Sequence, residues 1–211
     1  YQCCLTLLMS LSLLGTLAFS AEPVAHSSTG TVKISGVEDG VTVSAYQLMD
    51  VKVNENGQPQ EPVYTWRSEV ADWVRTHYAA YIGDNADDSV QSAFSTASAA
   101  DIAAFYDALA AAVRAPASSL NISAAGTCTG NGSIDNLAMG SYLILIENGM
   151  RIYRPSAVNL VPVWEEGQWQ MSEAVVEVKS SEPAVSKTVK APGTENGLDA
   201  DNANKIGRAS C

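Results

Sequence analysis

The stretch from Ala99 to Ala115 is dense in alanine and carries Ile102, Phe105 or Tyr106, Leu109 and Val113 at three- and four-residue steps, the spacing of an amphipathic helix. Ser98 stands three residues ahead of Asp101 in the manner of a capping box, and Pro116 stops the run. This helix constrains the fold because most of the patterned sequence on either side of it alternates as strands do. A chain of that order must bury a helical stripe against a sheet, which predicts a mainly β protein: a β-sandwich carrying helices on one side or end.

The strand signals begin at residue 30. Val32 and Ile34, then Val41, Val43, Ala45 and Gln47 or the opposite set Tyr46 and Leu48, alternate between two faces. Gly36-Val-Glu-Asp-Gly40 supplies turn chemistry between them, so residues 30 to 53 read as an antiparallel pair. Residues 54 to 62 read as a loop, and Val63 to Trp66 as a short strand. From Arg67 the period lengthens: Val70, Trp73 or Val74, His77 and Tyr81 predict a short helix capped by Thr65 or Ser68. After Pro116 the runs LNISAAG, GSYLILIENG, RIYRPSAVNLVPVW and EAVVEVK are rich in β-branched and aromatic residues, and Asn148-Gly149 is a hairpin signal.

The ends read differently from the middle. Leu5 to Phe19 is uncharged and apolar, yet shorter than the ~20 residues of a membrane-spanning helix, and reads as the core of a secretory signal peptide. Ala18 and Ser20 place cleavage between Ser20 and Ala21, leaving residues 21 to 28 as a linker. The chain opens on Tyr1 without a basic segment, so the natural start is expected upstream. Ser180-Ser-Glu-Pro183 marks a seam at the other end, beyond which the sequence is polar and turn-rich, a tail or the opening of a second domain.

Charge and composition remove several function classes. Twelve Lys and Arg against 23 Asp and Glu, net −11, leave no basic patch for a phosphate backbone, so nucleic acid is not an expected partner. Two histidines and four cysteines, two of them at Cys3 and Cys4, cannot form a Cys/His zinc cluster, and no metal or cofactor is expected. After cleavage only Cys128 and Cys211 remain, so a disulfide framework does not hold the fold together, and Cys128 reads as an isolated thiol in a loop. An enzyme is not expected either. His26 belongs to the linker, His77 to the apolar side of a helix, and the adjacent pairs Asp87-Asp88 and Glu165-Glu166 read as solvated loop charge rather than carboxylates facing across a cleft. Asn121-Ile-Ser and Asn131-Gly-Ser fit the glycosylation acceptor pattern, but such triplets arise often by chance. Trp66, Trp73, Trp164 and Trp169 are either core residues or a glycan-binding surface, and the helical period around Trp73 favours the core for that one.

The order of several motifs resembles the N-terminal domain of Gram-positive, sortase-assembled fimbrial pilin subunits. They are Thr31-Val-Lys-Ile34, Val43-Ser-Ala-Tyr46-Gln-Leu48, Tyr64-x-Trp66 leading into helices, Gly140-Ser-Tyr142, Tyr153-x-Pro155 through Val161-Pro-Val163, and Trp169 followed by Val176-x-Val178-Lys179. The resemblance covers residues 29 to 181 and implies an Ig-like β-sandwich with an internal helical insertion. Glu182-Pro-x-Val-x-Lys187-Thr-Val looks like the first strand of a following isopeptide-forming, Ig-like domain, so residues 182 to 211 would be its truncated start; Ala203-Asn-Lys-Ile206-Gly207 fits that pattern and Arg208-Ala-Ser-Cys211 departs from it.

The resemblance also implies a role for lysine. In such subunits a sortase holds the sorting signal of one subunit as a thioester, and a lysine amine of the next attacks it. Lys179 sits roughly where the family places that lysine, although Val178 and Ser180-Ser181 replace the expected Tyr-Pro-Lys context. A solvated lysine closing a strand is the other reading of the same residue. Lys187 corresponds to the lysine of an intramolecular isopeptide bond, whose partner Asn and acid would lie beyond Cys211. The implied partners are other pilin subunits, a sortase and a host surface glycan or protein, and the implied location is the cell wall or pilus after export. The competing reading is a wall-borne adhesin that is not polymerised.

Overall fold

The computed structural model describes residues 24–25, 27–115, 120–171 and 173–181. Strands β1 (Thr29–Ser35), β2 (Thr42–Val53) and β3 (Pro59–Trp66) come first, then helices α1 (Ser68–His77), α2 (Ser92–Ser95) and α3 (Ala99–Arg114). Strands β4 (Gly126–Thr129), β5 (Gly132–Ala138), β6 (Gly140–Glu147), β7 (Ile152–Tyr153), β8 (Ser156–Leu160), β9 (Pro162–Glu165), β10 (Gln168–Met171), β11 (Ala174–Glu177) and β12 (Ser180–Ser181) complete the order.

The protein is mainly β, and its sheets stack in the manner of a β-sandwich. A five-stranded sheet runs β3-β2-β6-β8 with β4 also paired to β2, and a three-stranded sheet runs β11-β1-β5. β6 explains the layering. It is buried from Gly140 to Ile146, and successive side chains of a strand point to opposite faces. Tyr142, Ile144 and Ile146 therefore enter one core with Val43 and Ala45 of β2, facing Val32, Ile34 and Ile134 of the smaller sheet. Leu143 and Leu145 enter a second core with Leu48, Trp66, Val70, Trp73, Phe105 and Leu109, beneath the helices. Of the two alternating sets expected along β2, Val43 and Ala45 enter the first core and Leu48 the second, while Gln47 and Tyr46 are only half-buried.

Helix α3 follows its sequence signals. The Ser98 hydroxyl oxygen accepts the Asp101 N–H at 3.1 Å and donates to the Asp101 carboxylate at 2.6 Å, satisfying one of the amides that a helix start leaves open. Phe105, rather than the half-buried Tyr106, takes the core position. Phe105 is surrounded by the rings of Trp66, Tyr78, Tyr81 and Phe94 at centroid distances of 4.9 to 5.7 Å.

Several local expectations are corrected. β1 and β2 do not pair: β1 lies between β11 and β5, while β2 belongs to the larger sheet. The Gly36–Gly40 turn carries the chain from one sheet to the other. The Glu38 carboxylate anchors it, accepting the Arg151 N–H at 3.1 Å and the Tyr153 hydroxyl at 2.9 Å. The Asn131 side-chain amide adds a second tie, accepting from Val37 N and donating to Val37 O at 3.1 and 2.9 Å.

The loop expected over residues 54 to 62 is a tight turn, because Asn54 Oδ1 accepts the N–H groups of Asn56 and Gln58 and β3 has begun by Pro59. Neither Thr65 nor Ser68 caps α1: its first flanking residue is Arg67, whose side chain is drawn to Asp50 and Glu69. Asn148-Gly149 lies in a broad connection, since β6 pairs with β8 from Ile144↔Ser156. LNISAAG forms no strand until Gly126, and Cys128 lies in β4, half-buried, rather than in a loop. Asp88 is no solvated loop charge, being half-buried and ion-paired to Arg75 of α1. His77 is exposed, its ring 4.9 Å from that of Trp73.

Candidate functional site

Lys179 follows β11 by two residues, and its position is set by its neighbours. β1 and β11 pair in parallel from Val32↔Ala174 to Ser35↔Glu177, and the Val178 N–H continues the ladder to Ser35 O at 2.9 Å. Val176 and Val178 are buried at 6% and 5% exposure, which turns the alternate set Val175, Glu177 and Lys179 outward. Beyond it, Ser180 and Ser181 pair antiparallel with Tyr153 and Ile152. The backbone of Lys179 is therefore held between two ladders while its side chain is exposed.

Gly36 secures the approach. Its φ is +83°, and a Cβ there would lie 2.7 Å from the Val178 carbonyl oxygen. A glycine meets both demands, the left-handed backbone and the close packing under Val178.

Lys179 lines a groove of about 420 Å³ with Arg154, Pro155, Ser156, Val175 and Glu177 among its walls. The groove lies between β8 and β11, which end the larger and smaller sheets, so two strand edges face it. Across it the Arg154 N–H reaches toward the Lys179 carbonyl oxygen at 3.5 Å. Among the described residues no carboxylate forms an ion pair with the Lys179 amine. An unpaired primary amine in an open groove is chemically suited to acyl transfer once deprotonated. Lys187, the second lysine of interest, and the Ser20–Ala21 cleavage position lie outside the described residues, as does the segment from residue 182 onward.

A second concave surface was only half legible in the sequence. Trp66 and Trp73 are core residues at 1% and 7% exposure, whereas Trp164 is 59% exposed and Trp169 half-buried. Trp164 and Trp169 face each other across the β9–β10 hairpin, ring centroids 5.6 Å apart in an edge-to-face arrangement. With Glu55, Asn56, Gln58 and Gln168 they line a groove of about 630 Å³. The sequence contained the aromatic pair. The contribution of the β2–β3 turn, more than a hundred residues earlier, had no sequence signal.

Cys128 is half-buried and its thiol is pushed up by burial, so it is less ionised than a free thiol at neutral pH. Among the described residues no group of three or more His, Cys, Asp or Glu side chains could hold a metal ion. No helix among them is long and apolar enough to cross a membrane.

No family model matches the chain, and no curated protein does. Among solved structures it is similar to the T6 backbone pilin of serotype M6 Streptococcus pyogenes, described as a modular three-domain structure decorated with variable loops and extensions. The identity is 15% and the TM-score 0.40, over 78% of this chain. The matched region spans 31% of the pilin's length.

Proposed function

We propose that this chain is a structural, non-catalytic subunit of a cell-surface pilus, exported, joined to other subunits by a sortase and anchored to the wall, where it supports adhesion. In this reading residues 29–181 form an Ig-like N-terminal domain, residues 1–20 its export signal and residues 182–211 the start of an isopeptide-forming domain holding Lys187. The observation that carries the reading is the placement of Lys179: an exposed amine in a groove between two sheet edges, its backbone held by β1 on one side and β7 on the other. The ordered motifs along residues 29 to 181 supply the rest of its support.

The chemistry asked of Lys179 is a simple acyl transfer. The neutral amine attacks the carbonyl carbon of a sortase-bound thioester, a C–N bond forms, the C–S bond breaks, and the amine proton leaves as the thiolate is released. The protein's own contribution is positional. A backbone held by its neighbours with an exposed side chain presents the nitrogen at the groove, where an extended segment can lie between the two strand edges and bring its carbonyl within reach.

Co-expression of the full-length protein with its cognate sortase tests this. A covalent ladder is expected, with mass spectrometry locating the junction at Lys179, and Lys179→Arg abolishing it. A junction at another lysine, or no ladder at all, refutes the assignment.

A further inference from the structure

We propose that the groove between the β9–β10 hairpin and the β2–β3 turn binds a neutral saccharide, with Trp164 as its stacking surface. Cross-strand aromatic pairs stabilise hairpins, so the meeting of Trp164 and Trp169 in register has a structural use. That use accounts for the half-buried Trp169, which packs on the β2–β3 turn: a Cβ on Gly57 would lie 3.2 Å from Trp169 Cβ. It leaves Trp164 with 59% of its surface in water, beside a concave surface of about 630 Å³, inside the ~300–1,000 Å³ range of small-ligand sites.

The lining chemistry selects the ligand. An indole face is the negative part of the ring quadrupole and attracts the polarised C–H groups on the flat side of a pyranose. Around it stand side chains that pair with hydroxyls: Glu55, Asn56 and Gln168 make no side-chain hydrogen bond among the described residues, and they line the same groove. Gln58 is oriented, because its Oε1 accepts Asn54 Nδ2 at 3.3 Å, which leaves its own amide N–H groups to donate. The turn carrying these residues is held by Asn54 Oδ1 at 2.9 and 3.0 Å. The facing hairpin is held by a two-residue turn with Glu166 and Gly167 at φ 52° and 82°, and by Gln170 donating to Glu165 at 2.9 Å. Both walls are thus ordered before a ligand arrives, which lowers the entropic cost of binding. Among the described residues no Lys or Arg lines the groove, Glu55 does, and the chain carries net −11, so acidic sugars are disfavoured and neutral ones fit.

The test is a titration of the full-length protein with a panel of neutral oligosaccharides built from galactose, glucose and N-acetylhexosamine, alongside sialylated counterparts. Binding is followed by tryptophan fluorescence and by the indole N–H resonances. At least one neutral sugar is expected to perturb the Trp164 resonance, with Trp164→Ala weakening it by about tenfold or more and Asn56→Ala or Gln168→Ala by several-fold. The last two keep the Trp pair, so they remain decisive if Trp164→Ala opens the hairpin. No neutral sugar binding below about 10 mM, affinity unchanged in Asn56→Ala and Gln168→Ala, or tighter binding of the sialylated forms overturns the proposal. The site is independent of Lys179, and Lys179→Arg is expected to bind sugar like the wild type.

Discussion

Replacing Gly36 with alanine probes the contact that positions Lys179, and Gly40 provides the matching control within the same turn. Both glycines sit at nearly the same left-handed angle, φ +83° and +81°. A Cβ on Gly36 meets the Val178 carbonyl oxygen at 2.7 Å, whereas one on Gly40 meets nothing within 4 Å. The backbone cost of an L-residue in this region, about 1–2 kcal/mol, is common to both variants, as is the reduced entropy of the unfolded alanine chain, about 0.4–1 kcal/mol in the opposite direction. The difference isolates the packing under Val178. To relieve that overlap, Val178 must retreat and weaken its 2.9 Å N–H bond to Ser35 O, and losing such a bond beside the exposed Ser35 costs about 0.5–1.5 kcal/mol. With about 2–4 °C lost per kcal/mol for a chain of this size, Gly36→Ala should melt roughly 1–6 °C below Gly40→Ala. Differential scanning calorimetry of the two variants measures this, and amide exchange at Val178 should accelerate only in Gly36→Ala. Equal melting temperatures would refute the reasoning, since they would mean that Val178 does not bear on Gly36 and that nothing fixes the approach to Lys179 from that side.

Trp66→Ala should cost about 3–5 kcal/mol in urea unfolding, because the ring is 1% exposed and its indole N–H bonds Tyr81 O at 2.9 Å; Trp164→Ala should stay within about 1 kcal/mol. Burial pushes the Tyr106 hydroxyl up to about 12, so the stability it contributes is complete below about pH 10 and is lost as pH rises through its folded value. Tyr106→Phe should therefore flatten the alkaline fall in the urea midpoint. The Arg151 backbone N–H, aided by the Tyr153 hydroxyl, holds the Glu38 carboxyl below the usual range. Its contribution is present above the unfolded value of about pH 4.3 and is lost as pH falls through the folded one, so Glu38→Gln should flatten the acid limb of the same curve.

Much of this protein was readable from local periodicity. Helix α3 announced itself because a cap, a stripe and a proline act within a few residues of one another. The period-two alternation of β2 and the apolar, β-branched run of β6 were equally plain, and the outward position of Lys179 follows from alternation along β11, since Val176 and Val178 point inward. Local chemistry misled where a turn signal did not say which strand the chain would meet next. Gly36–Gly40 looks like a hairpin turn, yet it changes sheets, because β1 finds β11 and β5 instead of β2.

Local pattern alone thus located helices α1 and α3 and strands β1, β2 and β6, and singled out lysine and tryptophan, but it missed α2 and β5 and began β3 too late. Only the tertiary structure decided which of the four tryptophans are exposed, that Trp164 and Trp169 share a groove with the distant β2–β3 turn, and that Lys179 lies between two strand edges. The physical reason is that backbone conformation is set largely by neighbours along the chain, whereas burial and groove shape depend on pairings between strands far apart in it, such as β1 with β11, which no local pattern encodes.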